Sequence, residues 1–361
     1  MSSALVRLRQ FALRRQFPTP TSLGRAIARL GFVQADPIRA PARAQDLILR
    51  HRVTGYVAGD LERRYARLDV EEDFFINYGF VTPELHALMH PRTARRRWSA
   101  AERKRADNIL VRERGVVHPR DVDSHFSHGK ATNWFGGRSI VTTQVMDAMH
   151  YRGLLRIARR EGGTRLYAAR PAVEAPRDIT AAMDRMVDIV VAKYAPVPAT
   201  TLAHLTARLV YAAPQWEGER AAAKARARTR LPHMRIDGVD WYWPDGESPS
   251  SRRRVVPDVV RLLAPFDPFV WDRPRFELFN GWGYRFEAYT PAPKRVRGYY
   301  ALPLLWRDTV IGWANLSVND GVLVPDVGYV NGRAPGDAGF AASLEAELGR
   351  VSVFLGCDPC A

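Results

Sequence analysis

Cysteine is nearly absent: there are two in 361 residues, Cys357 and Cys360, set together as Cys-Asp-Pro-Cys at the carboxy terminus. One such pair cannot complete a four-cysteine zinc site, and no other Cys or His stands at finger spacing, so metal and disulfide scaffolds are excluded. A redox dithiol normally opens a helix after a strand, a setting a terminal pair does not offer. Long apolar runs are missing as well, because Arg7, Arg9, Arg14 and Arg15 interrupt the amino terminus. That pattern excludes a targeting segment and a membrane span, and implies a cytoplasmic, nucleoid-associated chain with no membrane partner.

Lysine and acid are also scarce. Only five of the 54 basic residues are lysines, and 38 acidic residues leave a formal charge of +16. Charge of one sign in that excess bears on partners and encounter rates, and it favours a polyanion. What the chain does have is 46% hydrophobic and 10% aromatic residues, the composition of a folded protein long enough for two or three domains.

One rhythm recurs along the sequence. Residues 99–114, 118–122 and 140–151 read as three helices, and residues 154–157 and 164–167 flank Glu161-Gly162-Gly163 as a hairpin. Three helices and a two-stranded wing make a winged helix-turn-helix over 99–176. The same order returns in 177–254, with helices at 178–193, 201–209 and 216–229 and an Asp237-Gly238 hairpin turn. A less complete copy fills 1–98: helices at 5–14 and 23–30, an extended run at 32–36 and a helix at 42–51. Residues 255–361 change character, with a short helix at 274–279, strands at 284–289, 298–306 and 309–317, and a closing helix at 339–348. The expected fold class is α+β, tandem winged helix-turn-helix modules followed by a carboxy-terminal β-rich domain.

Several basic groups suit phosphate neutralisation, which supplies affinity without reading sequence. Arg92, Arg95, Arg96 and Arg97 precede Trp98, and Arg252, Arg253 and Arg254 form a second run. Lys224, Arg226, Arg228 and Arg230 punctuate the third helix of the 177–254 module. Lys294, Arg295 and Arg297 occupy a turn between two expected strands, beside Tyr299 and Tyr300. Solvated helix ends and hairpin tips would carry the same residues. His118, His125 and His128 lack a carboxylate at metal-ligand spacing and read as ordinary surface or packing histidines.

Gln34 and Asp36 stand two apart in an extended stretch, so both side chains point to one side. An amide and a carboxylate so placed can hold one water, the amide orienting it and the carboxylate taking its proton. A helix cap or a turn at Asp36-Pro37 uses the same residues without chemistry.

Phe32-Val33-Gln34-Ala35-Asp36-Pro37-Ile38, then Ala42-Arg43-Ala44-Gln45-Asp46-Leu47-Ile48-Leu49, stand far upstream of Leu263-Ala264-Pro265-Phe266-Asp267-Pro268-Phe269-Val270-Trp271-Asp272-Arg273 and Tyr289-Thr290-Pro291-Ala292-Pro293-Lys294-Arg295-Val296-Arg297-Gly298-Tyr299-Tyr300. In that order, over nearly the whole chain, these motifs resemble the AlkZ/YcaQ-like family of winged-helix DNA glycosylases. The resemblance implies a C-shaped wrap around duplex DNA and hydrolysis of the N-glycosidic bond of N7-alkylpurines, interstrand crosslinks included. It makes Gln34 and Asp36 the catalytic pair of the Gln-x-Asp subgroup. Arg43, Lys294, Arg295, Arg297, Lys224 and Arg226 become DNA contacts. The reaction it implies is monofunctional, needs no metal or cofactor, and takes as partner double-stranded DNA bearing bulky or cationic purine adducts; the sequence leaves the oligomeric state open, with a monomer as the default expectation.

The sequence departs from relatives where many carry a histidine after an aromatic-rich segment. Here Asp73-Phe74-Phe75-Ile76-Asn77-Tyr78-Gly79 offers Asn77 or Tyr78 as lesion contacts instead. Pro37 and Arg39 also follow the catalytic pair. Two rival readings keep the same residues: a non-catalytic winged-helix DNA-binding or regulatory protein, and an interaction scaffold with compositional charge.

Overall fold

A computed structural model describes residues 1–93, 97–112, 115–126, 130–132, 138–250 and 256–358, without the side chains of 110–112, 126, 130–132 and 138–140. Arg95, Arg96, His128, Arg252, Arg253, Arg254 and Cys360 lie outside the described residues. The chain packs as two compact units, one of Met1–Leu61, Val187–Leu205 and Lys224–Ala361, the other of Glu62–Met186 and Thr206–Ala223. Among the described residues no helix is long and apolar enough to cross a membrane.

In the first unit, helix Ser3–Gln16 starts where the Ser2 hydroxyl accepts the Leu5 N–H at 3.2 Å, a cap worth about 1 kcal/mol. It buries Leu5, Leu8, Phe11 and Ala12 at helical spacing. Helix Leu23–Leu30 ends at Gly31, whose φ is +65° and where a Cβ would lie 2.7 Å from Ile189 Cγ2, so only glycine fits. Strand Phe32–Gln34 follows, fully buried, then helix Ala44–Leu49, all six of whose residues are buried.

A four-stranded antiparallel sheet closes the same unit in the order Val260–Leu262, Leu302–Trp306, Thr309–Asn319, Val322–Tyr329. Helix Ala338–Leu355 packs on its outer strands. The expected strand at 284–289 does not form. Its alternation is that of a strand, but the Glu287 carboxylate turns inward and collects loop amides, and the segment stays irregular. The expected strand from 298 begins only at Leu302, because Gly298 has φ +118° and opens the preceding loop. Strand Val322–Tyr329 escapes the sequence reading because Pro325 interrupts it, which an edge strand tolerates.

Most of the Leu263–Trp271 motif is buried within this unit. Asp267 is fully buried and receives both Nη atoms of Arg52, at 2.8 and 3.2 Å. Breaking one side of such a pair costs about 3–5 kcal/mol, since the other charge is left buried and alone. Arg275, also fully buried, donates to the carbonyls of Tyr194 and Pro268 and to that of Phe269 at 3.2 Å.

The second unit carries helices Ala100–Arg112, Pro119–Phe126 and Val141–Tyr151, then antiparallel strands Leu155–Glu161 and Thr164–Ala169. Gly162 and Gly163, at φ +54° and +86°, make the two-residue turn. A short strand, Val116–Val117, adds to Thr164–Ala169. Along the chain the order repeats as Ile179–Tyr194, Val197–Pro198, Ala199–Arg208, Glu219–Arg230, then His233–Ile236 against Val239–Tyr242 across Asp237-Gly238. Hairpin Glu71–Phe74 and Tyr78–Val81 leads to helix Pro83–Met89, capped by Thr82.

Candidate active site

Gln34 ends its strand and is 7% exposed. Its Oε1 accepts the Trp271 indole N–H at 3.1 Å, which assigns the amide: Oε1 is the acceptor end and Nε2 the donor end. Trp271 is held by the Tyr194 ring, with centroids 4.9 Å apart. One strand residue earlier but one, the Phe32 carbonyl takes a hydrogen bond from the buried Lys193 ammonium. The strand is thereby fixed at both ends.

Asp36 lies beyond the strand end, since the strand stops at Gln34, so the two side chains are not set by strand alternation as the spacing predicts. Instead Oδ1 accepts the Ile38 N–H at 2.9 Å, bridging Pro37 in an Asx turn, while the Asp36 N–H donates to Gln45 Oε1 at 3.3 Å. The turn reading and the site reading therefore describe one residue. Asp36 is half-buried, and among the described residues no lysine or arginine pairs with it. Burial pushes its carboxyl above the usual carboxylate range, and the Ile38 bond opposes that only in part. Its charge is felt by Tyr289 and Tyr300, whose phenols it helps to raise after burial has done so.

The basic segment after Tyr289 is a loop and not a hairpin, because its expected first strand is absent. Ala292–Lys294 forms a 3-10 turn, and Glu287 Oε2 accepts the amides of Val296, Arg297 and Gly298 at 2.9, 2.8 and 3.3 Å. Asn315 Nδ2 donates to the Arg297 carbonyl at 2.7 Å. The pinned loop exposes Tyr289 at 80%, Val296 at 76% and Tyr299 at 42%. Lys294 is exposed and Arg295 half-buried, its guanidinium 5.0 Å from the Tyr299 ring centre. Arg297 is half-buried between Trp282 and Trp313, at 5.0 and 5.5 Å.

Arg43 is half-buried at the start of helix Ala44–Leu49, and Lys224 and Arg226 are half-buried on helix Glu219–Arg230. Arg230 pairs with Asp188 at 2.5 Å. Arg92 is neither a phosphate contact nor a solvated linker residue. It is 3% exposed and donates to Asp73 Oδ1 at 2.9 Å and to the carbonyls of Ala212, Tyr151 and Phe74 at 2.6, 2.8 and 2.9 Å.

Asn77 and Tyr78 belong to the second unit and are engaged inside it. Arg208 donates to Asn77 Oδ1, and the Tyr78 hydroxyl donates to Glu72 Oε2 at 2.7 Å. In the same unit Asp73, His86 and His90 bring ligand-type atoms within 4.8 Å of one another, all buried. Their spacing suits a metal ion, but Arg92 already neutralises Asp73, and His90 Nε2 lies 2.6 Å from Oδ2. Burial keeps both histidines below their usual range, His86 down to about 2. His118 uses Nδ1 to accept the Arg120 N–H at 3.0 Å.

Comparison with known proteins follows the same lines. Residues 27–354 match the family described as DNA glycosylase AlkZ-like. The solved structure of the Streptomyces sahachiroi DNA glycosylase AlkZ is similar over 99% of this chain and 97% of that one, with a TM-score of 0.64 and 14% identity. At that identity the likeness is one of fold, a mixed α+β architecture shared along the whole chain.

Proposed function

The chain belongs to the AlkZ-like DNA glycosylase family, and from that premise we propose that it is a monofunctional glycosylase of the Gln-x-Asp kind, hydrolysing the N-glycosidic bond of N7-alkylpurines in duplex DNA. The observation that carries the reading is Asp36: a half-buried carboxylate with no cationic partner among the described residues, close to a glutamine whose amide orientation is set by Trp271. In this reading the two repeated helical sets with their β pairs are winged-helix modules that hold DNA.

Alkylation at N7 makes the purine cationic, so the base departs with the C1′–N9 electron pair and becomes neutral without needing a proton. Positive charge gathers at C1′. Asp36 stabilises that charge and takes a proton from the attacking water on the oxygen not held by Ile38, while Gln34 Nε2 donates to the water and aims its remaining lone pair. The water oxygen bonds to C1′, leaving an abasic site. No amine enters the reaction, so no Schiff base forms and the strand is left uncut.

Tyr289, Tyr299 and Val296 supply a lip of stacking surface, and the faces of the two tyrosines suit a cationic purine. Lys294 and Arg295 suit the adjacent phosphates, with Arg43, Lys224 and Arg226 as further backbone contacts. An open lip of this kind accommodates a crosslinked base that cannot leave the stack, which brings interstrand crosslinks within the substrate class.

The test is release of free base from duplex DNA containing N7-methylguanine, and from an N7-linked crosslink, by the intact protein and by Asp36→Asn. Release is expected to fall by about 10²- to 10⁴-fold in the variant, the usual range for a positioned general base. A second reading, a DNA-binding protein without turnover, is favoured by Asn77 standing bound to Arg208 where many relatives carry a histidine. Tight, salt-sensitive duplex binding with no base released from either substrate would establish it.

A further inference from the structure

We infer that a cleft in the first unit, between helices Ser3–Gln16 and Leu23–Leu30 and the end of helix Ile179–Tyr194, binds a phosphate-type oxyanion through Arg29 and Lys193. The cleft opens to solvent and is lined by Arg15, Arg29, Arg52, Lys193 and Gln16 together with apolar side chains. No carboxylate lines it among the described residues.

Charge is the first argument. Arg15 is paired with Glu247, and Arg52 with Asp267. Arg29 is exposed and makes no hydrogen bond or ion pair among the described residues. Lys193 makes no ion pair among the described residues either, so two of the four cations that line the cleft have no paired carboxylate. Like charges gathered in one concavity are costly unless an anion joins them.

Unmet donors are the second. Lys193 is 2% exposed, and its ammonium, with three N–H donors, has the Phe32 carbonyl as its one acceptor among the described residues. The Nε atoms of Arg15 and Arg52 are buried without an acceptor as well. Native structures rarely leave such donors unmet, because each costs about 1–3 kcal/mol. A tetrahedral oxyanion brings several acceptors and negative charge to such donors. Burial and then the Arg52 charge push the Lys193 ammonium down to about 7, with Asp267 opposing, as a neighbourhood rich in cations does. Because Lys193 also holds the Phe32 carbonyl, an occupied cleft would buttress the strand that leads to Gln34.

Two sources share this chemistry, a phosphodiester of the DNA backbone and a free phosphate ion. The experiment uses the full chain and compares thermal unfolding in sodium phosphate and in sodium chloride at matched ionic strength, for the intact protein, Arg29→Ala and the control Arg25→Ala. Arg25 is exposed and does not line the cleft. A saturable rise in melting temperature is expected with phosphate but not chloride, retained in Arg25→Ala and shifted to about tenfold higher phosphate in Arg29→Ala. Equal responses to the two salts, or an undiminished response in Arg29→Ala, would overturn the site. Source is then read by competition. Phosphate that displaces duplex DNA, with the salt slope of duplex binding reduced by about 1 in Arg29→Ala, identifies a backbone phosphodiester; phosphate bound without displacement identifies the free ion. The binding readout does not depend on base release, so failure of the glycosylase reading leaves it standing.

Discussion

At Asp36 the Asx turn and the proposed chemistry divide one carboxylate between them, and the division can be measured. Its folded carboxyl value is raised by burial, so the ionised form is disfavoured in the fold and stability falls as pH rises through the unfolded and then the folded value. Asparagine keeps an acceptor for the Ile38 N–H and removes the charge. Asp36→Asn is therefore expected to melt at the same or a higher temperature than the intact protein at neutral pH, with any gain vanishing below about pH 4. Base release should rise with pH through the raised carboxyl value and then level off, because the base must be ionised to act. A variant that loses activity and melts lower would make Asp36 a structural residue. Gln34 and Asp36 can be singled out as a candidate pair in the sequence because they lie close together. Their supports cannot: Trp271 meets Gln34 across 237 positions, and Lys193, which reads as the basic end of an amphipathic helix, is buried against Phe32.

Elements show where periodicity misleads. Tyr284-Arg285-Phe286-Glu287-Ala288-Tyr289 alternates as a strand does, but Glu287 is 3% exposed and spends its carboxylate on three loop amides. A side chain that competes for backbone donors takes the segment out of the ladder. Strands Val116–Val117 and Val197–Pro198 are too short to carry a pattern, and exist because a hairpin lies ready to pair with them. Most helices and the glycine-bearing turns follow from local chemistry and sit where the sequence puts them within a few residues, but the closing helix expected at 339–348 runs on to Leu355, where Gly356 caps it. For the loop itself, Glu287→Ala should release the Val296, Arg297 and Gly298 amides together. Duplex affinity is expected to weaken by about tenfold, the equivalent of one lost charge-assisted hydrogen bond of about 1.4 kcal/mol. Unchanged affinity in equilibrium titration would remove the loop from the DNA contacts.

For the whole molecule the +16 charge is an expectation about salt. If Lys294, Arg295, Arg43, Lys224 and Arg226 each neutralise one phosphate, log affinity against log salt should fall with a slope of roughly −4.5, measured on an undamaged duplex. A slope near zero would return the charge to composition alone. Not all of the arginine is available for that purpose. Arg92 joins Asp73, Phe74, Tyr151 and Ala212, and Arg275 joins Tyr194, Pro268 and Phe269.

These two guanidiniums have a kinetic meaning. Arg92 reaches a carbonyl 120 positions away and Arg275 one 81 positions away. Until the remote segments arrive, each is a charge that must stay in water and hold its surroundings open. Closure of either unit is thereby deferred to a late step that brings distant parts of the chain together at once, the signature of a slow folder whose half-formed states gain little stability of their own.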